Sequence, residues 1–276
     1  PSIARCELTH LARSGIDPVR AESQHAGYCQ ALGEAGCRVI TMPAEPELPD
    51  SVFVEDGAVV LDEVAVLTRP GAPSRRPEIQ GLRVELERYR PMAEIAAPGT
   101  LDGGDVLQAG LTLWVGQSGR SNAAGISQLG EILNRFGYKV IPVAVQGCLH
   151  LKTAVTRIGP ETMLLNPAMV APDVFPGFCC LEVDTSEPMA ANALLVGETV
   201  IYPEAFPATC RTMEQAGIQV RTVPADELAK AEGGVTCCSI VLSVLPPHFR
   251  LLPPLVRFIH WFSMMDPTGT FHAISR

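Results

Sequence analysis

Several common features are missing from this 276-residue chain. No Ser/Gly linker, block of like charge or low-complexity tract divides it, so one domain is the simpler reading, at least to Val241. No Lys/Arg cluster exists beyond Arg75-Arg76, and the formal net charge is -9. Nucleic-acid binders need a basic stripe, so the balance argues against a nucleic-acid partner. No CxxC pair is present, which disfavours a structural zinc site, and no magnesium or calcium ligand spacing appears; no metal is expected. The tail run Phe258-Ile259-His260-Trp261-Phe262 is too short, and Pro246-Pro247 and Pro253-Pro254 break its surroundings too often, for a membrane span. No signal peptide precedes Pro1, and the chain lacks an initiator Met, so the natural N-terminus is expected to lie upstream.

What is present is the profile of a soluble globular protein: 47% hydrophobic and 18% charged residues. Nine cysteines at irregular spacing do not read as a disulfide framework. Thiols in a reducing compartment are the better reading, which points to the cytoplasm. An acidic chain suits a cationic small molecule, although many cytoplasmic proteins are acidic too.

Short apolar runs alternate with helical stretches. Strands are expected at Val52–Val60, Val64–Leu67, Asp105–Leu107, Leu113–Val115, Val140–Val143, Met163–Leu165, Ala193–Val196, Val200–Tyr202 and Val220–Val223. Helices are expected at Asp17–Ala35, Ser74–Arg90, Asn122–Phe136, Pro207–Ala216 and Ala225–Lys230. Gly33, Gly36, Gly137 and Gly217 sit near helix ends, where left-handed caps are common. A helix, a glycine and a strand recur at 35–40, 136–141 and 216–220. Repetition at intervals of roughly 50 residues suggests a propeller-like or other repeated α/β plan, with an ordinary α/β sheet as the alternative.

Four segments concentrate polar residues between apolar strands: 49–56 (PDSVFVED), 100–105 (TLDGGD), 149–152 (LHLK) and 233–239 (GGVTCCS). Cys237 follows Gly233-Gly234, which permit tight backbone approach, so it is a candidate nucleophile at a strand mouth; a buried structural cysteine is the competing reading. Cys238 is expected on the opposite strand face. His150 is the histidine set in a strand-like polar segment; His10 and His25 lie near the start, and the other three in the tail. Asp50, Glu55, Asp56, Asp102 and Asp105 all flank strands or turns. Desolvating several carboxylates together is costly unless a cation joins them, and a guanidinium matches carboxylate forks. The bland reading makes them caps and turn formers. Arg75 and Arg120 each sit where a strand–loop enters a helix and could clamp a carboxylate, or be plain surface arginines.

Taken in order, the segments 48–56, 68–76, 100–105, 149–152 and 233–237 resemble the dimethylarginine dimethylaminohydrolase family, over about residues 1–242. The resemblance implies an α/β pentein fold: a five-bladed propeller of ββαβ-type units with pseudo-fivefold symmetry around a central site. It implies that Cys237 is the nucleophile, His150 the general acid/base and Asp102 the carboxylate that orients it. Asp56 and Glu55 would hold the guanidinium, and Asp50, with the backbone of Leu8, the α-ammonium. Arg75 and Arg120 would grip the α-carboxylate, and Phe53 would line the channel. The implied reaction hydrolyses Nω-methylated arginines to citrulline and dimethylamine or methylamine through a thiouronium on Cys237, with no cofactor. An arginine deiminase, an amidinotransferase or a non-catalytic guanidino-compound binder are the rivals.

Three departures from the family pattern accompany this. Family members begin with a strand that would precede Pro1, so one blade is expected to be incomplete. The lid region 6–11 differs, which leaves the exact guanidino substrate open. The family ends near Leu242, so residues 243–276 are expected to be a poorly structured or non-native appendage outside a catalytic domain of 1–242. A dimer contact there, and so a homodimer, is the alternative.

Overall fold

The computed structural model describes residues 2–243 and 271–276. Helix α1 (Pro18–Glu34) is started by Asp17, whose side chain accepts from the amides of Val19 and Arg20, with Pro18 in the first turn, where its missing N–H costs nothing. Gly36 follows at φ +93 and turns the chain into β1 (Cys37–Thr41). Gly137 and Gly217 adopt the same left-handed conformation before their strands. Gly33 lies inside α1, so it is not a cap.

Four complete units follow. Strands β2 (Ala58–Val60) and β3 (Ala65–Leu67) form an antiparallel hairpin, helix α2 (Ile79–Leu86) crosses over, and β4 (Met92–Glu94) returns parallel to β3. The second unit repeats this with β5 (Val106–Ala109), β6 (Thr112–Gln117), α3 (Ala123–Asn134) and β7 (Lys139–Ala144). The third opens with the short helix α4 (Leu151–Ala154) and holds β8 (Val155–Gly159), β9 (Thr162–Leu165) and β10 (Cys179–Glu182), with a single 3-10 turn at Pro172–Val174 in the crossover. The fourth holds β11 (Leu194–Val196), β12 (Thr199–Pro203), α5 (Pro207–Gln215) and β13 (Gln219–Val223).

Helix α6 (Asp226–Ala229) leads to the fifth unit. Strand β14 (Ile240–Ser243) pairs antiparallel with β15 (Phe271–Ser275), and β15 pairs parallel with β1. The strand order β14–β15–β1, with α1 ahead of β1, repeats the ββαβ plan of the other units. This corrects the expectation of an appendage and an incomplete blade. Residues 271–276 supply the central strand of a sheet, with Ala273 and Ile274 fully buried. His272 lies on that strand, not in an unstructured tail. The rest of the expected extension, residues 244–270, lies outside the described residues. The two chain ends meet beside β1: Arg276 Nη1 binds Glu45 Oε2 at 2.5 Å, and Arg5 Nη2 reaches the carbonyl of Pro46 at 3.2 Å.

Among the described residues, apolar side chains form five buried clusters. Around the axis the first strands of neighbouring units touch: β14 meets β2, β5 meets β8, and β8 meets β11. The segment before each first strand therefore reaches the centre. Those segments carry Glu55-Asp56, Asp102, His150, Asn192 and Cys237.

Candidate active site

The five central segments are joined in a closed ring of hydrogen bonds. The Glu55 amide donates to the Cys237 carbonyl at 3.2 Å. The Gly104 amide donates to Asp56 Oδ1 at 2.9 Å, and the Leu151 amide to Asp105 Oδ1 at 2.9 Å. Asn192 Nδ2 donates to the Lys152 carbonyl at 3.1 Å, and Asn192 Oδ1 accepts from the Thr236 amide at 3.1 Å. Each bond crosses from one unit to the next, so every side chain at the centre is placed by its neighbour as well as by its own turn.

His150 sits at the N-terminus of α4 with extended backbone, φ -137 and ψ 160, so the expectation of a strand position fails. Helix α4 starts there because Asp105, fully buried, holds the Leu151 amide while Ser118 and Ser121 donate to its other oxygen at 2.6 Å. The imidazole Nε2 lies 3.1 Å from Asp102 Oδ2 and 3.9 Å from Asp56 Oδ1. Its Nδ1 edge packs on Gly104: a Cβ there would sit 2.7 Å from Nδ1. Burial disfavours the charged ring, but the Asp56 charge, the hydrogen bond to Asp102 and the Asp105 charge outweigh it and lift its pKa to about 9. Burial also opposes ionisation of Asp56, yet His150 and Arg75 hold its pKa at about 2.

Cys237 lies in a turn ahead of β14, not on a strand, and Cys238 is fully buried beside it. The half-buried Cys237 Sγ accepts from the Gly234 amide at 3.3 Å. Burial and the nearby Glu55 and Asp56 carboxylates push its thiol up to about 12. A thiol in such surroundings becomes a nucleophile only when a cation joins it. Gly233 is required by packing, since a Cβ would meet the Phe53 ring at 2.1 Å.

Glu55 accepts from Lys152 Nζ at 2.6 Å and from Thr236 Oγ1 at 2.8 Å. Burial raises its pKa, and Lys152 works against that. Asp50 accepts the Glu7 amide at 3.0 and 3.2 Å, and burial raises its pKa against that bond. Leu8 packs against the cluster containing Phe53; the amide that meets Asp50 belongs to Glu7.

The two arginines are buried, so neither is a surface residue. Arg75 lines the central cavity and is held on several sides. Its Nη1 pairs with Asp56 Oδ2 at 2.5 Å, its Nε and Nη2 with Glu78, and its Nη2 also with the carbonyls of Asp50 and Phe53. Arg120 is less committed: Nη2 donates to Thr9 Oγ1 at 2.7 Å, and Nη1 lies 3.7 Å from Asp102.

Asp50, Phe53, Asp56, Arg75, Arg120, His150 and Cys237 line one cavity of about 20 Å³. Asp105, one of the carboxylates singled out in the sequence, orders the turn at His150, whereas Glu78, Asn192, Lys152, Thr236 and Glu232 had no site role in the sequence. The last holds the lid: its carboxylate accepts the amides of Thr9, His10 and Leu11 at 2.9, 2.5 and 2.6 Å. Lys152 and Thr236 stood inside recognised motifs, whereas Asn192 lies in 190–193 (AANA), which carries no signal beyond its place before β11.

Asp56, Asp102 and His150 are also close enough to hold an ion. Their oxygens and ring nitrogen already serve one another and Arg75, which satisfies them without a metal.

A ring of five ββαβ units, with a cysteine, a histidine and carboxylates facing one central hollow, defines the pentein class of guanidino-group-modifying proteins. No family model matches the chain. It is 38% identical over 247 residues to the N(G),N(G)-dimethylarginine dimethylaminohydrolase of Streptomyces coelicolor, covering 89% of this chain and 95% of that protein. The protein of the same name from Pseudomonas aeruginosa is 34% identical over 234 residues, covering 84% and 91%. A solved structure of the Pseudomonas aeruginosa enzyme, a cysteine-to-serine mutant complexed with citrulline, superposes with a TM-score of 0.82 at 33% identity, covering 86% and 93%. The chain belongs to the dimethylarginine dimethylaminohydrolase family.

Proposed function

We propose that this chain hydrolyses Nω-methylated L-arginines to citrulline and dimethylamine or methylamine, with Cys237 as nucleophile and His150 as proton carrier. The observation that carries this reading is the pairing, around one hollow, of a thiol with a histidine held between Asp102 and Asp56. A planar cation is what such walls accept: Asp56 and Glu55 each have a carboxylate facing the centre, and both are buried. Asp50 receives the α-ammonium, and Arg120, whose one short contact is to a neutral hydroxyl with the Asp102 carboxylate farther off at 3.7 Å, grips the α-carboxylate. Arg75 acts mainly on Asp56, keeping it ionised and aimed, with one face toward the substrate.

The pKa directions order the steps. Before substrate arrives the thiol is neutral and His150 is protonated at neutral pH. The bound guanidinium supplies the charge that favours the thiolate, and the thiol proton is lost to solvent. Sulfur adds to the guanidinium carbon, the bond to the methylated nitrogen breaks, and His150 gives that nitrogen its proton. His150 then takes a proton from water, which replaces the sulfur and releases citrulline. No step calls for a cofactor.

The chain forms one catalytic unit in this reading, with residues 271–276 inside it. All nine cysteines are unpaired, which agrees with a reducing, cytoplasmic setting. No helix among the described residues is long and apolar enough to cross a membrane.

The test is citrulline release from asymmetric dimethylarginine, monomethylarginine and arginine. Cys237→Ser should lose more than about a thousandfold in turnover; equal activity in both would remove the covalent route. Ammonia from arginine as the main product would instead favour a deiminase.

A further inference from the structure

A second cavity, of about 250 Å³, also reaches Cys237. It shares Leu149, His150, Glu232, Gly233 and Cys237 with the small charged cavity, so the two meet at the thiol. Glu55, Lys152 and Asn192 line it near the central ring; elsewhere Leu11, Met189, Ala205, Phe206, Ala225 and Ala229 give it apolar walls, interrupted by His10, Asp226 and Glu232. Leu11 and Met189 are 49% and 46% exposed. Single exposed apolar side chains are ordinary. Two that wall one hollow beside a nucleophile form a surface fit for an apolar group.

The charged cavity holds the groups suited to an α-amino acid. A guanidinium bound with its carbon over Cys237 and its amino-acid arm toward Asp50 and Arg120 sends its terminal nitrogens the opposite way. The second cavity, which shares His150 and Cys237 with the first but is lined by none of Asp50, Arg75 and Arg120, is the room left for them. Its size far exceeds two methyl groups: a dry apolar cavity of about 150 Å³ already accepts benzene.

We propose that this cavity is the subsite for the nitrogen substituent of the substrate, and that it admits substituents up to a benzyl group. The substrate class is then Nω-alkyl and Nω-aralkyl arginines, not methylated arginines alone. The inference rests on the hydrolase reading above. The chemistry is unchanged: the Cys237 sulfur bonds to the guanidinium carbon, the substituted nitrogen leaves with the His150 proton, and water completes citrulline. The leaving group is benzylamine or a longer alkylamine.

The experiment is turnover of Nω-methyl-, Nω-propyl- and Nω-benzyl-L-arginine by the full chain, read as both citrulline and released amine. The expected result is kcat/KM for the benzyl substrate within about tenfold of the methyl one. Ala229→Phe and Ala205→Phe, both at exposed positions in the cavity lining, should lower the benzyl-to-methyl ratio by about a hundredfold or more. Methyl turnover with benzyl turnover below about a thousandth of it would overturn this inference and leave the hydrolase reading standing. An unchanged ratio in both variants would do the same. Absence of turnover on every substrate by the unaltered chain would overturn both.

Discussion

At the scale of single residues, the site works by opposing burial with nearby charge. His150 is the clearest case. Its pKa of about 9 lies above the ordinary 6.5, so its contribution to stability is complete below about pH 6.5 and is lost as pH rises through about 9. The contribution reaches about 3 kcal/mol. The melting-temperature gap between the protein and His150→Gln should therefore be widest near pH 6 and close by about pH 10; a gap independent of pH would contradict it. Glu232 makes a second residue-level case. Three lid amides share its carboxylate, and hydrogen bonds to a charged group are the strong kind. Glu232→Ala should raise KM for the methylated substrate by about tenfold or more while changing kcat by less than about threefold. Amide exchange should speed up at Thr9–Leu11. A fall in kcat alone, with KM and exchange unchanged, would show that the carboxylate does not hold the lid.

At the scale of elements, the turns ahead of the first strands matter more than the strands themselves. These turns bring backbone so close to the site that glycine is obligatory. In Gly104→Ala the methyl would press on His150 and on Asp56 Oδ1, 2.8 Å away. Turnover should fall by about a hundredfold or more, since an ångström of misplacement costs that much; activity within threefold of the parent would show that the ring can yield. Asn192 closes the ring between the third and fifth units. Asn192→Ala frees Thr236, which aims its hydroxyl at Glu55. It should cost about 2 kcal/mol or more in denaturant unfolding, because buried partners lose their bonds, and should lower kcat more than it changes KM.

At the scale of the whole molecule, closure is decided by a strand 28 residues beyond Ser243 in the numbering: Phe271 opens β15. β15 lies between β14 and β1, and among the described residues neither has another partner in that sheet. A chain ending at residue 270 should fail to fold cooperatively, because the loss of a central strand exceeds what a stability of about 5–15 kcal/mol can absorb. Circular dichroism and a melting transition measure this directly; a truncated chain that melts as the parent does would mean the strand is dispensable. Once the ring is closed, an acidic protein presents one acid-lined hollow to a cationic substrate, an arrangement that favours its capture electrostatically.

The local part of this design was legible in the residues themselves. Gly36, Gly137 and Gly217 marked helix ends because left-handed backbone is a local demand. The Asp-Gly-Gly-Asp and Gly-Gly-Val-Thr-Cys segments announced close backbone approach, which only a residue without a Cβ allows, and the repeat of hairpin, helix and strand followed from apolar spacing. Strands β4 and β10 were not legible: they are sheet edges, short and half-exposed, so no alternation distinguishes them. The rest was settled only by folding. Arg75 turned to Asp56 and Glu78, Asn192 became the fifth member of the ring, and β15 became a central strand. Arg75 meets Glu78 three residues on and Asp56 within its own unit, whereas Asn192 depends on the neighbouring units and β15 on the coming together of both chain ends. Contacts of that reach leave no spacing pattern, because what selects them is the complementarity of surfaces that meet only in the closed ring.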